Sequence, residues 1–238
     1  MVSRLGATPL RMDLTDAASI AAAVEALRAE TGPGGPSAVV HNSAIAIPGA
    51  VMDVPTEALR AIFEVNLFGL HELNRHLLPG LCAVPGGGRL VLMSSILGRL
   101  SLRFRGAYQM TKYAVEAYAD TLRVEHRPSE LKVSLIEPGP VTSNMRATAM
   151  KLFERNIDVA GSRFKEEYQD ILHALSSEGE EDRNAVTPAE AAAVIRRCLE
   201  APRPKARYVI TRQARLGLLA KALLPTPWLD ELFRDRRY

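Results

Sequence analysis

Three compact apolar runs constrain this chain more than any other feature: Ala38-Val39-Val40-His41, Leu90-Val91-Leu92-Met93 and Val133-Ser134-Leu135-Ile136. Each is bounded by turn-forming residues, and each alternates with a segment rich in helix formers. Unbroken apolar runs of this length read as strands buried on both faces. Strands that alternate with helices assemble into a parallel sheet covered by helices on both sides. The fold class expected is therefore α/β.

The remaining segments fill in that frame. Residues 8–13 read as a short strand ending at Asp13, before a helix over 17–30 capped by Thr15 or Asp16. A second helix is expected over 56–78, with Pro79-Gly80 stopping it. The stretch 108–125 holds no proline or glycine and reads as a third. Helices over 145–155 and 162–176 follow, then an acidic loop at 177–184. Thr187-Pro188-Ala189-Glu190 opens another helix, with Thr as cap and Pro at the first position. A last strand covers 207–211.

In such sheets ligands gather at the carboxyl ends of the strands. Asp13, Asn42, Ser95 and Pro138-Gly139 all fall at expected strand ends. Tyr108 and Lys112 are four apart, so they share one helix face. A phenol beside an ammonium has its ionised form favoured, which suits proton transfer. Taken alone the pair is a weak signal. Asn66 asks for a reason as well, because Asn is a poor helix-interior residue. A satisfied structural Asn is the alternative reading.

Composition narrows the function classes. The chain has 238 residues, 47% of them hydrophobic, and a net charge of +3. That suits one domain with a sizeable core and argues against nucleic acid as a partner. Cys82 and Cys198 form neither a disulfide framework nor a metal cluster, which favours a reducing, cytoplasmic setting. No apolar run reaches the length of a membrane span.

Together these motifs resemble the short-chain dehydrogenase/reductase family, over roughly residues 8–211. The carriers are Asn66, Ser95, the Tyr108-x-x-x-Lys112 pair and Pro138-Gly139-Pro140-Val141, all in the family's order. His41-Asn42-Ser43-Ala44 departs from the family's Asn-Asn-Ala-Gly at three of four positions. The phrase Leu135-Ile136-Glu137-Pro138-Gly139-Pro140-Val141 is similar to the retinol and 17β-hydroxysteroid dehydrogenase branch. The resemblance implies a Rossmann-like doubly wound sheet and hydride transfer between NAD or NADP and an alcohol or carbonyl. It implies Tyr108 as acid/base, Lys112 as its modulator, Ser95 on the substrate oxygen and Asn66 in proton relay. Asp13, Asn42, Ser43, Ala44, Tyr108, Lys112, Pro138, Gly139 and Val141 would meet the cofactor. It also implies a homodimer or homotetramer formed through the helices over 56–78 and 108–125.

One departure is large. The family's opening strand, Gly-x-x-x-Gly-x-Gly loop and second strand have no counterpart, and Gly32, Gly34 and Gly35 stand in the reverse context. The expected sheet is thus truncated at its N-terminal side, with 38–41 as an edge and 8–13 either pairing beside it or packing poorly. The organisation expected is a single domain: a partial core over 1–144, a lid over 145–186, a last helix and strand over 187–211, and a tail over 212–238. Met145, Met150, Leu152, Phe153, Phe164, Tyr168 and Ile171 suggest an apolar substrate, with ordinary core packing as the plain alternative. Residues 203–238 carry nine Arg or Lys against three Asp or Glu. That tail suggests weak contact with an anionic membrane, although docking on its own domain is the commoner outcome. The alternative function is a non-catalytic relative acting as a binding protein.

Overall fold

The computed structural model describes residues 6–126, 131–176 and 185–234. Among these, a parallel sheet runs β1 (Ala38–His41), β2 (Arg89–Met93), β3 (Lys132–Glu137) and β4 (Arg207–Val209) in that spatial order. The registers pair His41 with Leu92, Met93 with Ile136 and Glu137 with Val209, so the carboxyl ends form one rim.

Helices cover the sheet because its strands are apolar on both faces. On one side lie α1 (Ala17–Thr31), α2 (Thr56–Phe63), α3 (Gly69–Ala83) and α4 (Gly106–Glu125). Leu81, Leu90, Leu92, Val115, Ala119 and Leu135 are buried there between α3, α4 and the sheet. On the other side Val91 and Ile136 meet Cys198 of the helix Pro188–Glu200. Between β3 and that helix come α5 (Met145–Asn156) and α6 (Lys165–Ser176), which makes Pro188–Glu200 α7. The chain closes with α8 (Arg212–Leu223) and α9 (Thr226–Arg234).

Most boundaries follow the local signals. Asp16 caps α1, its side chain accepting from Ala18 N at 2.9 Å. Thr187 and Glu190 form a reciprocal capping box on α7. The acidic loop expected at 177–184 lies outside the described residues.

Two expectations fail. Residues 8–13 form no strand; of the two outcomes expected for them, poor packing is the one seen, an exposed coil with Leu10 41% and Met12 38% accessible. Apolar character cannot make a strand without a neighbouring ladder. β1 is the sheet edge, and Val40, on the α7 side, is left 37% exposed. Pro79-Gly80 also does not stop its helix, which continues to Ala83 with Pro79 inside. Burial of Leu81, fully inaccessible in the core, outweighs the backbone bond lost at the proline. Gly80 permits the packing, since a Cβ there would stand 2.2 Å from the Gly34 carbonyl oxygen.

The tail folds back onto its own domain. Phe233 is buried, a Cβ at Gly217 would meet Leu100 at 2.7 Å, and Lys221 Nζ bonds the Arg99 carbonyl and Tyr113 Oη. No helix among the described residues is long and apolar enough to cross a membrane.

Candidate active site

The rim of the sheet brings Ser95, Tyr108 and Lys112 together. Backbone bonds continue past the strands: Ser94 N donates to Ile136 O, and Ile96 N to Pro138 O, each at 2.9 Å. That fixes Ser95 beside the Pro138-Gly139 turn. Ser95 then starts a short 3-10 turn, Ile96–Gly98, its hydroxyl accepting from Leu97 N at 3.1 Å. The same hydroxyl neighbours the Tyr108 phenol and favours its ionised form.

Tyr108 sits in the first turn of α4 and is 9% exposed. It belongs to a buried cluster with Ala46, Ile47, Ile62 and Ala149, against which Met145, Leu152 and Leu175 pack. Burial pushes its pKa up to about 12, against the neighbouring Ser95 hydroxyl and the Arg105 charge. Lys112, 3% exposed, lies one turn on, its Nζ 5.6 Å from the Tyr108 ring centroid. The ammonium donates to the Met93 carbonyl at 2.7 Å. Burial pushes its pKa down to about 8, and the Glu116 carboxylate opposes that shift. Lys112 is not among the groups that shift the Tyr108 phenol in the cofactor-free chain. Desolvation dominates the phenol, and the ammonium is turned onto the strand end.

Asn66 lies in a π-helical segment, Glu64–Phe68, inserted between α2 and α3. Its Oδ1 accepts from Ile45 N at 2.8 Å; its Nδ2 donates to Ile45 O at 2.9 Å and Thr111 Oγ1 at 3.0 Å. Thr111, fully buried, donates to the Tyr108 carbonyl at 2.7 Å. One carboxamide thus joins the loop after β1 to the turn of α4 that carries Tyr108. The satisfied structural reading of Asn66 holds for its side chain. Sequence reasoning missed Thr111, whose signal was its place within Tyr108-x-x-x-Lys112.

The other predicted residues scatter more. Asn42 and Ser43 are exposed just past β1, with Ala44 half-buried. His41 departs from the family pattern for a visible reason: its Nε2 meets Asn74 Oδ1 of α3 at 2.8 Å, and burial lowers its pKa. Pro138, Gly139 and Val141 are half-buried, and Val141 bridges to Val186. A Cβ at Gly139 would stand 2.3 Å from Thr211 Oγ1, so only glycine fits. Asp13 stands away from the sheet ladder. It is exposed, and its carboxylate accepts from Thr15 N and Thr15 Oγ1. No group of His, Cys, Asp and Glu among the described residues could hold a metal.

The lid residues divide. Phe153, Tyr168 and Ile171 are buried against one another as ordinary core, and Tyr168 Oη donates to Asp53 Oδ2 at 2.5 Å. Met145 and Leu152 instead pack against the buried cluster that includes Tyr108.

Ser95 at a strand end, Tyr108 on the helix that follows and buried Lys112 one turn beyond stand together on the rim of a parallel α/β sheet, the arrangement that the family resemblance implies. Comparison with known proteins agrees. The dehydrogenase family described as enoyl-(acyl carrier protein) reductase matches residues 1–182. A probable short-chain type dehydrogenase/reductase of Helicobacter pylori, VdlC, is 35% identical over 203 residues, covering 82% of this chain and 69% of its own. Human retinol dehydrogenase 16 is 31% identical over 232 residues, covering 93% and 71%. A short-chain dehydrogenase/reductase structure from Burkholderia phymatum, in complex with NAD, superposes with a TM-score of 0.72 at 20% identity, over 98% of this chain and 80% of that one. This chain belongs to the short-chain dehydrogenase/reductase family and is an oxidoreductase of that type.

Proposed function

We propose that the protein uses NAD or NADP to interconvert an apolar carbonyl and its alcohol, with Tyr108 as proton donor and acceptor. The observation that carries this reading is the buried Ser95–Tyr108–Lys112 assembly at the sheet rim. The donor set suits the nicotinamide and ribose half of the cofactor: an ammonium, a phenol and the bent backbone from Pro138 to Val141. The described residues offer no glycine loop between a strand and a helix N-terminus for the pyrophosphate. Asn42, Ser43 and Ala44 follow β1 on the same rim and would line the cofactor beside that turn. Asp13 would serve the adenosine end only by leaving its local bonds to Thr15.

The nicotinamide, when bound, supplies or takes the hydride. Everything else falls to this chain's own groups. Ser95 holds the substrate oxygen beside the phenol. Tyr108 keeps its proton through neutral pH, so it stands ready to protonate the oxygen of a carbonyl undergoing reduction. Lys112 leaves the Met93 carbonyl to bind ribose hydroxyls and draw the phenol pKa down. Asn66 holds the wide turn and Thr111 in place for proton relay. Met145 and Leu152 supply an apolar wall, in line with the retinol named for the human relative. Phe68, 51% exposed, and Tyr113, 38% exposed, mark the α2–α4 surface for pairing into a dimer or tetramer.

Fluorescence titration with NADH and NADPH tests the reading first. Saturable binding is expected, and its absence from the pure 238-residue chain leaves the non-catalytic alternative. Where turnover of a lipophilic ketone is measured, Tyr108→Phe is expected to lower it by about a thousandfold. Full activity in that variant overturns the assignment.

A further inference from the structure

We propose that α8 and α9 form a docking surface for an anionic lipid bilayer, with the outward leucines of α8 and Trp228 of α9 entering the interface and Arg212 and Arg215 meeting the headgroups. The inference stands apart from the reading of the active site, because it needs neither cofactor nor turnover.

The helix α8 is docked by its small residues and turns its large ones outward. Ala214, Gly217 and Lys221 fall at steps of three and four and make up the inner stripe. Ala214 and Gly217 are buried, Gly217 rests on Leu100, and Lys221 bonds the Arg99 carbonyl and Tyr113 Oη. Arg212, Leu216, Leu219 and Leu223 make up the opposite stripe, and each of these leucines is more than half exposed. A helix that settles onto a core ordinarily buries its widest apolar stripe and turns its polar one to water. Here the order is reversed. On α9, Trp228 and Leu232 are also exposed, while Phe233 is buried and reaches beneath Gly217. Large apolar residues exposed together on two consecutive helices mark a contact surface.

Charge decides what that surface meets. Arg212 stands on the leucine stripe, exposed and without an ion pair among the described residues. Arg215, exposed beside it, donates to the neutral Val209 carbonyl at 3.2 Å. On α9, Glu231 is matched by Arg234 at 2.6 Å, and Asp230, two residues on from Trp228, lies on the far side of the helix. The outward side of α8 is thus apolar, with unmatched positive charge at its amino-terminal end, which complements anionic headgroups. A second copy of the same surface would set these arginines against their own kind. Tryptophan beside leucines also suits the boundary between headgroups and acyl chains. The surface lies one helix from the site: Thr211 at the start of α8 presses on Gly139, and Leu100, against Gly217, follows the turn that Ser95 begins.

Trp228 is the chain's single tryptophan and is 66% exposed, so its emission reports on the surface directly. Adding vesicles of equal parts phosphatidylcholine and phosphatidylglycerol to the full chain is expected to shift that emission to the blue, saturably. Vesicles of phosphatidylcholine alone are expected to do so far more weakly. Arg212→Gln with Arg215→Gln is expected to weaken partition into the mixed vesicles about fivefold for each charge. Leu219→Gln with Leu223→Gln is expected to weaken it at least about tenfold. No blue shift with the mixed vesicles overturns the inference. So does equal partition into both vesicle types. A blue shift that appears without lipid and grows with protein concentration overturns it as well, and makes the surface a contact between copies. Unchanged partition of either double variant is also fatal, so one suffices should the other fail to fold. Vesicle binding by a chain that binds neither NADH nor NADPH sustains this inference and sinks the proposed reaction; turnover without vesicle binding does the reverse.

Discussion

Asn66 spends its whole carboxamide on protein partners, and that makes it costly to replace. Asn66→Ala leaves the Ile45 N–H and carbonyl and the Thr111 hydroxyl short of a partner inside the fold. At about 1 kcal/mol for each lost bond, urea unfolding should show a loss of about 3 kcal/mol. Gly139 is constrained by contact instead. Gly139→Ala drives a methyl into Thr211 Oγ1, which also caps α8 through Ala214 N at 3.2 Å. Overpacking of this kind costs about 1–3 kcal/mol. Thr211→Ala alone should cost about 1 kcal/mol as a lost cap. Because Thr211→Ala also removes the obstructing hydroxyl, the double variant should be more stable than the sum of the two single effects predicts. Additive losses by urea unfolding would refute the contact.

At the scale of elements, α5 and α6 pack against the cluster that holds Tyr108 while sharing a core of their own. Phe153 and Tyr168 have ring centroids 5.3 Å apart, and both are almost inaccessible. Phe153→Ala should cost about 3–5 kcal/mol, and thermal unfolding should record it as a clear drop in Tm. The strands β1, β2 and β3, the helices α1 and α7 and the Ser95–Tyr108–Lys112 set were legible in the sequence. Their signals are local: an apolar run, a cap, a spacing of four. Residues 8–13 and Pro79 were misjudged because partners distant in sequence decided them, a missing ladder in one case and the burial of Leu81 in the other. The bonds of Asn66 to Ile45, 21 residues away, and to Thr111, 45 residues away, carry no sequence signal.

For the molecule as a whole, the buried pair gives stability an unusual alkaline profile. Lys112 has a folded pKa of about 8 against 10.5 in the open chain. Between those values the unfolded chain holds a proton that the folded chain has released, so stability rises with pH. Tyr108 acts in the other sense. Its folded pKa of about 12 against 10.0 means the folded chain keeps a proton the unfolded chain loses, and stability falls as pH climbs from 10. The pair therefore predicts a gain in Tm from pH 7.5 to 9.5. Lys112→Met should abolish that gain, and an equal gain in the variant would show that other groups produce it. The wide turn at Glu64–Phe68 bears on the molecule differently. A π turn encloses one residue more than an α turn while the helices on either side keep their course. Deleting one residue there would mend a single uninterrupted rod from Thr56 to Ala83, with Ile62 and Leu70 still facing the core. The price would be the loss of the bulge that presents Asn66 to Ile45 and Thr111. The shortest edit that makes this chain a better helix is thus also the one that unfastens the turn carrying Tyr108 from the loop after β1.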